Sequence, residues 1–372
     1  MKSAGAAFHK ARRYAIDTPT EEIPDMELKA RRHTVSDFSG AMELCYTNGW
    51  TDGLPVVPPT AERITAMLEA AGLAPERELA FIENRQVSVT AEKVAINAVM
   101  AGCKAEYMPV IAATVEALGD PAYGYHGPAT STGGSAVFML VNGPIARELE
   151  MNSGDNLFGP GWRANATIGR AVRLVMRNVI GTLPGELDRS SLGHAGKYTF
   201  CIAENETDSP WPPFHTTRGY TREQNAVTIF AAYAPHQYSN RLSANPEGVL
   251  DTACAHMRIS AGSARQPQYA MVFAGEHQVI MKKAGWSRED VQRYVFEHTK
   301  VSEAEHKRIH MTAGEVTPED EHTMVPLVER PDDLLVIAAG GHAGVQSAFI
   351  PGWGSKAGSQ SVTREITFNR ST

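Results

Sequence analysis

Cys103, His236, Glu276 and His277 carry side chains well suited to catalysis. Cys103 opens the segment CKAEYMP, between a helical stretch ending at Gly102 and another running from Val110 to Leu118. A thiol at a helix N-terminus feels the positive end of the peptide dipoles, which lowers its pKa and favours the nucleophilic thiolate. Cys103 fits the N-cap position, with Glu106 three residues on, where a capping-box acid stands. Pro109 offers another start for the same helix and would leave the thiol in the preceding turn. There it would play the ordinary part of a free cysteine, a small buried hydrophobe. His236 and Glu276-His277 each follow an apolar run. An imidazole there could act as general base, with the carboxylate orienting it. His236, His277 and His342, with Glu276 or Glu204, equally make a ligand set for a divalent transition metal such as Zn, Mn or Fe, with one position open.

A second group lies in VFMLVNGPIARELEMNSGDNLFGPGWRANATIGRAVRLVMR, residues 137–177. Asn142 ends an apolar strand, Gly159-Pro160-Gly161 turns the chain tightly, and the helix that follows carries Arg163, Arg170, Arg173 and Arg177. A glycine-rich loop feeding a helix N-terminus leaves free N–H groups that suit an anion. Asn142, Gly159, Gly161, Arg163, Asn165 and His342 are therefore the expected contacts for a carboxylate or phosphate. The spacing is neither the Walker loop nor G-x-G-x-x-G, and a solvated loop before a basic surface helix is the plainer alternative.

A sheet must hold these groups. Apolar strands are expected at Val137–Val141, Thr199–Ala203, Ala226–Tyr233, Tyr269–Phe273 and Leu334–Ala338, alternating with helices. One helix is Arg288–His298, with Ser287 as N-cap and Asp290 three residues on. The pattern predicts an α/β fold with a mostly parallel or mixed sheet, helices on both faces, and an N-terminal helical and extended arm. Residues 1–60 form that arm, including the proline-rich WTDGLPVVPP. Residues 61–372 form the body, readable as two intimate lobes, 61–195 and 196–372. Three strand ends look alike, MLVNGPIA, MVFAGEHQ and VIAAGGHA, a weak internal similarity. Ligands of such sheets bind beyond the carboxyl ends of the strands. That rim would gather Asn142, Glu204, His236, Glu276, His277 and His342.

The 372 residues, 42% of them hydrophobic, suffice for a sizeable core. A formal net charge of −7 gives no sign of nucleic acid or an anionic membrane as partner. No apolar run reaches membrane-span length, and no secretory signal is read at the N-terminus. The four cysteines are far apart, which fits free thiols in a cytoplasmic protein. Ser131 precedes its strand, so it is not a nucleophile elbow. His306 and His310 have metal-ligand spacing but lie among Lys and Arg, as on a solvated helix.

Segments Trp50–Thr60, Ala95–Pro109, Asn142–Ala171, Gly275–His298 and Asp333–Gly344 resemble a bacterial family associated with UGSC-motif (seleno)proteins. The resemblance implies a soluble, catabolic bacterial protein, partnered with a Cys/Sec redox protein. The chain has no U-G-S-C or C-G-S-C motif, so such chemistry would come from the partner. Cys103 and Glu276-His277 lie inside the resembling segments, without roles assigned.

Three functions remain open. The first is an enzyme acting on a small anionic molecule through the Cys103 thiol and strand-end His and Glu groups, by hydrolytic, lyase or thiol-redox chemistry. The second is a metal-dependent hydrolase or lyase. The third is a non-catalytic scaffold or partner subunit. The arm and the extended proline segment favour a homo-oligomer in each case.

Overall fold

The computed structural model describes residues 26–260 and 266–367. The part of the expected arm at 1–25 lies outside the described residues. Residues 26–36 run without helix or strand into α1 (Phe38–Thr47), capped by the Asp37 carboxylate, which accepts the Gly40 N–H. After the proline segment come α2 (Ala61–Ala71), the hairpin β1 (Glu78–Ile82) and β2 (Val87–Thr90), α3 (Ala91–Ala101) and α4 (Met108–Leu118). Thr60 caps α2, and Gly102 ends α3 in the left-handed conformation that a β-carbon disfavours. A short α5 (His126–Thr130) precedes β3 (Ala136–Asn142), α6 (Pro144–Glu148) and α7 (Arg163–Asn178). β4 (Cys201–Ala203) and β5 (Ala226–Ala232) follow, then β6 (His236–Ser239) and α8 (Pro246–Ser260). The chain continues through β7 (Tyr269–Phe273), α9 (Gly275–Ala284) and α10 (Arg288–His298). The Ser287–Asp290 capping box opens α10. β8 (Val301–Ser302), α11 (Glu303–Arg308) and β9 (Met324–Val325) form a small excursion. His306, expected on a solvated helix, is buried there. β10 (Leu334–Ala338), β11 (Gln346–Pro351) and β12 (Val362–Glu365) complete the described elements.

The α/β class holds, and the sheet is mixed, but it is two sheets. One has the order β12-β5-β3-β4 and the other β10-β7-β11-β6. Each contains one parallel pair, β3 with β4 and β7 with β10, followed by two antiparallel neighbours. The sheets lie face to face. Phe138 and Leu140 of β3 and Phe230 of β5 meet Ala270, Val272, Leu335 and Ile337 in one shared core. Alternate residues point outward. Met139 and Val141 join the core under α2, α3, α4 and α7, whereas Met271, Phe273, Leu334 and Val336 join the one under α8, α9 and α10. Helices therefore cover both outer faces of a four-layer stack. Burial on both sides explains why the strands read as unbroken apolar runs.

The chain runs twice through the same order, strand, helices, parallel strand, antiparallel strand. β3, β4 and β5 match β7, β10 and β11 in pairing. Two of the look-alike strand ends, at β3 and β7, are thus equivalent, and the third, at β10, corresponds to β4. The fourth strand of each sheet is exchanged. β6 follows β5 yet pairs in the second sheet, and β12 follows β11 yet pairs in the first. β4 and β5 belong with β3, so the sheets do not divide between 195 and 196. The crossover is at residues 233–235, where Tyr233 N–H donates to Pro351 O and Trp353 N–H donates to Ala231 O. Among the described residues no helix is long and apolar enough to cross a membrane.

Candidate functional site

A cavity lies beyond the strand ends of the second sheet, but none of Asn142, Glu204, His236, Glu276, His277 and His342 lines it. Its volume is about 420 Å³, and it is lined by Ala274 after β7, Ala339, Gly340 and Gly341 after β10, and the Asp155–Gly159 loop from the first half. Gly340 N–H donates to Ser153 O at 2.8 Å, and a β-carbon on Gly341 would fall 1.7 Å from Asp155 Oδ1. Only glycine lets the two loops approach so closely. Gly159 lines this cavity. Glu276 lies in the first turn of α9, and its Oε1 accepts the Gly344 N–H at 2.8 Å. His342 is exposed, with Nε2 3.3 Å from Asp208 Oδ2.

Apart from Gly159, the expected residues do not line the cavity. His277 is fully buried. Its Nδ1 meets Ser347 Oγ at 2.7 Å and its Nε2 meets Asn240 O at 3.3 Å. Burial lowers its pKa, and with both ring nitrogens occupied it serves neither as base nor as ligand. The His236 ring stacks on Phe349, with centroids 5.0 Å apart. The set His236, His277 and His342 is therefore not assembled. Among the described residues no group of three or more His, Cys, Asp or Glu side chains is placed to hold a metal ion.

Cys103 requires a correction. α4 begins at Met108, after a 3₁₀ turn at Ala105–Tyr107, so the thiol is not at its N-terminus. It is buried in the helical layer and its Sγ donates to Thr167 O at 3.2 Å. Burial pushes its pKa up to about 12, so the group is a thiol at neutral pH.

The anion-loop residues are likewise structural. Arg163 places Nε and Nη2 on Gly102 O, capping the end of α3. Asn165 Oδ1 accepts the Asn152 N–H, and its Nδ2 donates to Asn152 O and Cys201 O. Gly161 holds φ +134° beside the N-terminus of α7, outside the cavity lining. Asn142 Nδ2 donates to Glu204 Oε2 at 2.6 Å and to Glu206 Oε1 at 3.0 Å. Glu204 is buried and also accepts the Phe214 N–H and an Arg288 guanidinium N–H, bridging the two halves. No cation lines the 420 Å³ cavity.

The cations of α7 lead elsewhere. Its basic face turns away from the glycine loop toward residues 49–55 and 182–198. Arg170 forks onto Asp52, and Arg177 donates to Gly49 O. Arg173 Nη2 meets Asp188 Oδ2 at 2.6 Å. Asp188 is the hub of a dense cluster. Lys197 Nζ donates to both its oxygens, at 2.9 and 2.7 Å, and Ser190 Oγ donates to Oδ1 at 2.5 Å. Lys197 Nζ also lies 2.5 Å from Ser190 Oγ.

Burial alone would raise the Asp188 pKa, but the hydrogen bonds from Lys197 and Ser190 hold it well below the carboxylate range. Lys197 is shifted down, chiefly by burial and further by Arg173, against the pull of Asp188. The group opens on a cleft of about 380 Å³ that also holds Arg177, His194 and Leu192. The loop bearing Ser190 is pinned where Ser191 N–H donates to Thr132 O. Gly134, at φ +78°, lets Gly193 approach, since a β-carbon on it would lie 2.9 Å from the Gly193 backbone.

Perturbed titrating groups in a cleft mark a candidate active site, and sequence reasoning missed this one. Its signal was DRSSLGHAGK, residues 188–197, which brings Asp, Ser, His and Lys together without following a known motif. Compared with known proteins, the sequence matches no family model and no curated protein.

Proposed function

We propose that the chain is an acyl-transfer hydrolase acting on a small anionic ester, thioester or amide, with Ser190 as nucleophile and Lys197 as its base. The observation that carries the reading is the 2.5 Å approach of Lys197 Nζ to Ser190 Oγ inside an open, cation-lined cleft. A nucleophile within hydrogen-bond reach of a base, itself held by a third group, is the arrangement such chemistry needs. Neutral Lys197 accepts the Ser190 proton as Oγ bonds to the acyl carbon. The ammonium then gives that proton to the leaving group as its bond to the acyl carbon breaks. Water releases the acyl group from Ser190, passing a proton through Lys197 back to Oγ. Asp188 is a positioning residue that fixes both groups, and Arg173 and Arg177 favour an anionic substrate.

A serine-directed fluorophosphonate tests this by intact-protein mass. One phosphonyl group should be added, with fluoride leaving. It should be lost in Ser190→Ala and slowed roughly 10²- to 10⁴-fold in Lys197→Met. An unmodified wild-type chain at alkaline pH, where Lys197 is neutral, would overturn the reading.

A further inference from the structure

Away from the Ser190 cleft, a cavity of about 630 Å³ opens between residues 28–35, α1, and the pair α2 and α3. Its walls are apolar, formed by Leu44 and Cys45 of α1, Trp50, Ile64 of α2, and Ile96 and Met100 of α3. Polar groups in the wall are already engaged. Asn97 Oδ1 accepts from Asn178 Nδ2 at 2.8 Å, and Glu92 Oε1 accepts the Ala30 N–H at 2.8 Å. The mouth is basic, lined by Arg31, Arg32, His33 and Lys93, all exposed. Among the described residues, Arg31, Arg32 and Lys93 form no ion pair. The cover is loosely seated, because Cys45 is the one buried residue of α1 while Ala41 and Leu44 face the cavity. Arg31 Nε donates to His33 Nε2 and Lys93 Nζ to Ser88 O, so these cations have hydrogen-bond partners but no counter-ion. An inorganic anion would leave the walls bare, and a plain hydrocarbon would leave the cations without a counter-ion.

We propose that this cavity binds a small amphipathic carboxylate, its hydrocarbon body against Ile64, Ile96 and Met100 and its carboxylate among Arg31, Arg32 and Lys93. Pockets of this size and make-up commonly hold small ligands, and guanidinium groups suit a carboxylate by geometry as well as charge. The inference does not depend on the chemistry proposed for Ser190.

The test is a fluorescence titration of the full chain with 11-(dansylamino)undecanoic acid and, separately, its methyl ester. The acid should bind saturably at one site per chain and more tightly than the ester. Arg32→Glu, an exposed change that spares the core, should weaken the acid roughly tenfold and leave the ester unchanged. Ile96→Trp should fill the cavity and remove binding of both, with near-ultraviolet circular dichroism reporting that the variant is folded. The proposal fails if the acid does not saturate, as it would if residues 1–25 or a second copy of the chain already filled the space. It also fails if acid and ester bind alike, or if folded Ile96→Trp binds as the wild type does.

Discussion

Arg288→Met tests how the two halves are held together. The Arg288 side chain is only 4% exposed and its ion-pair partner Glu204 is fully enclosed. Arg288 Nε donates to Val336 O at 3.0 Å and Nη2 to Pro212 O at 3.0 Å, and the guanidinium lies over the Trp211 and Phe214 rings. Methionine fills the stem of this site, so the loss is chiefly one of charge and donors. Breaking a buried pair from one side costs about 3–5 kcal/mol, a large part of the roughly 5–15 kcal/mol that holds a typical domain.

The cost should depend on pH. Burial raises the Glu204 pKa and Arg288 opposes it. Without Arg288 the carboxyl must take up a proton or stay charged in an apolar site. A group whose folded pKa is raised destabilises nothing below its unfolded value, about 4.3 for Glu, and costs stability as pH climbs above it. The slope is at most about 1.4 kcal/mol per pH unit, and because Glu204 is already raised in the wild type, the gap between the two proteins opens only above the wild type's own raised value. Urea unfolding of wild type and variant between about pH 5 and pH 8 should show the midpoint gap widening. Adding Glu204→Gln should remove the pH-dependent part. A gap that is constant across that range, or wild-type stability at the alkaline end, would refute the reasoning.

Other outcomes follow from the same contacts. The phosphonylation rate at Ser190 should rise with pH along a single limb centred below the ordinary lysine value of about 10.4, because Lys197 is shifted down by burial. Lys197→Met should lack that limb. Asp188→Asn strands Arg173 and Lys197 beside each other and should cost about 3 kcal/mol in urea unfolding. Wild-type Asp188, with its pKa held low, contributes stability that is lost as pH falls below about 3.9, so the gap should close in acid. His277 is buried with a lowered pKa, so the unfolded chain takes its proton first as pH drops below about 6.5. Stability should fall over that range, and His277→Gln should flatten the fall by at most about 1.4 kcal/mol per pH unit.

What was legible in the sequence was local. The Ser287 capping box, the Gly102 helix end and the apolar strands depend on neighbours a few residues away, and they stand as read. The Gly159-Pro160-Gly161 turn and the glycine-rich strand end after β10 were visible in the sequence, and Gly159, Gly340 and Gly341 meet in one cavity. That there are two sheets was not legible, because a strand buried by helices on one face and by another sheet on the other has the same unbroken apolar run as one buried by helices on both. Cys103 turned on where its helix begins. A start at Met108 converts a candidate thiolate into a buried thiol. The arginines of α7 do share a helix face, as their spacing implied, but which neighbours that face meets is a tertiary fact. Asp188, Ser190 and Lys197 become a site only when that face supplies Arg173.

The exchanged strands bear on how the chain is made and how it fails. β5 leaves one edge of the first sheet open until Val362–Glu365 have been synthesised and can lie against it. A growing chain therefore carries a mostly apolar strand, paired with β3 on one side only, through the synthesis of its entire second half. Such an edge invites pairing with another chain. The first half cannot fold to completion while translation continues, and a nick at residues 233–235 would not free two sound modules. The protein should lose its structure in one step, with each half unable to outlast the other.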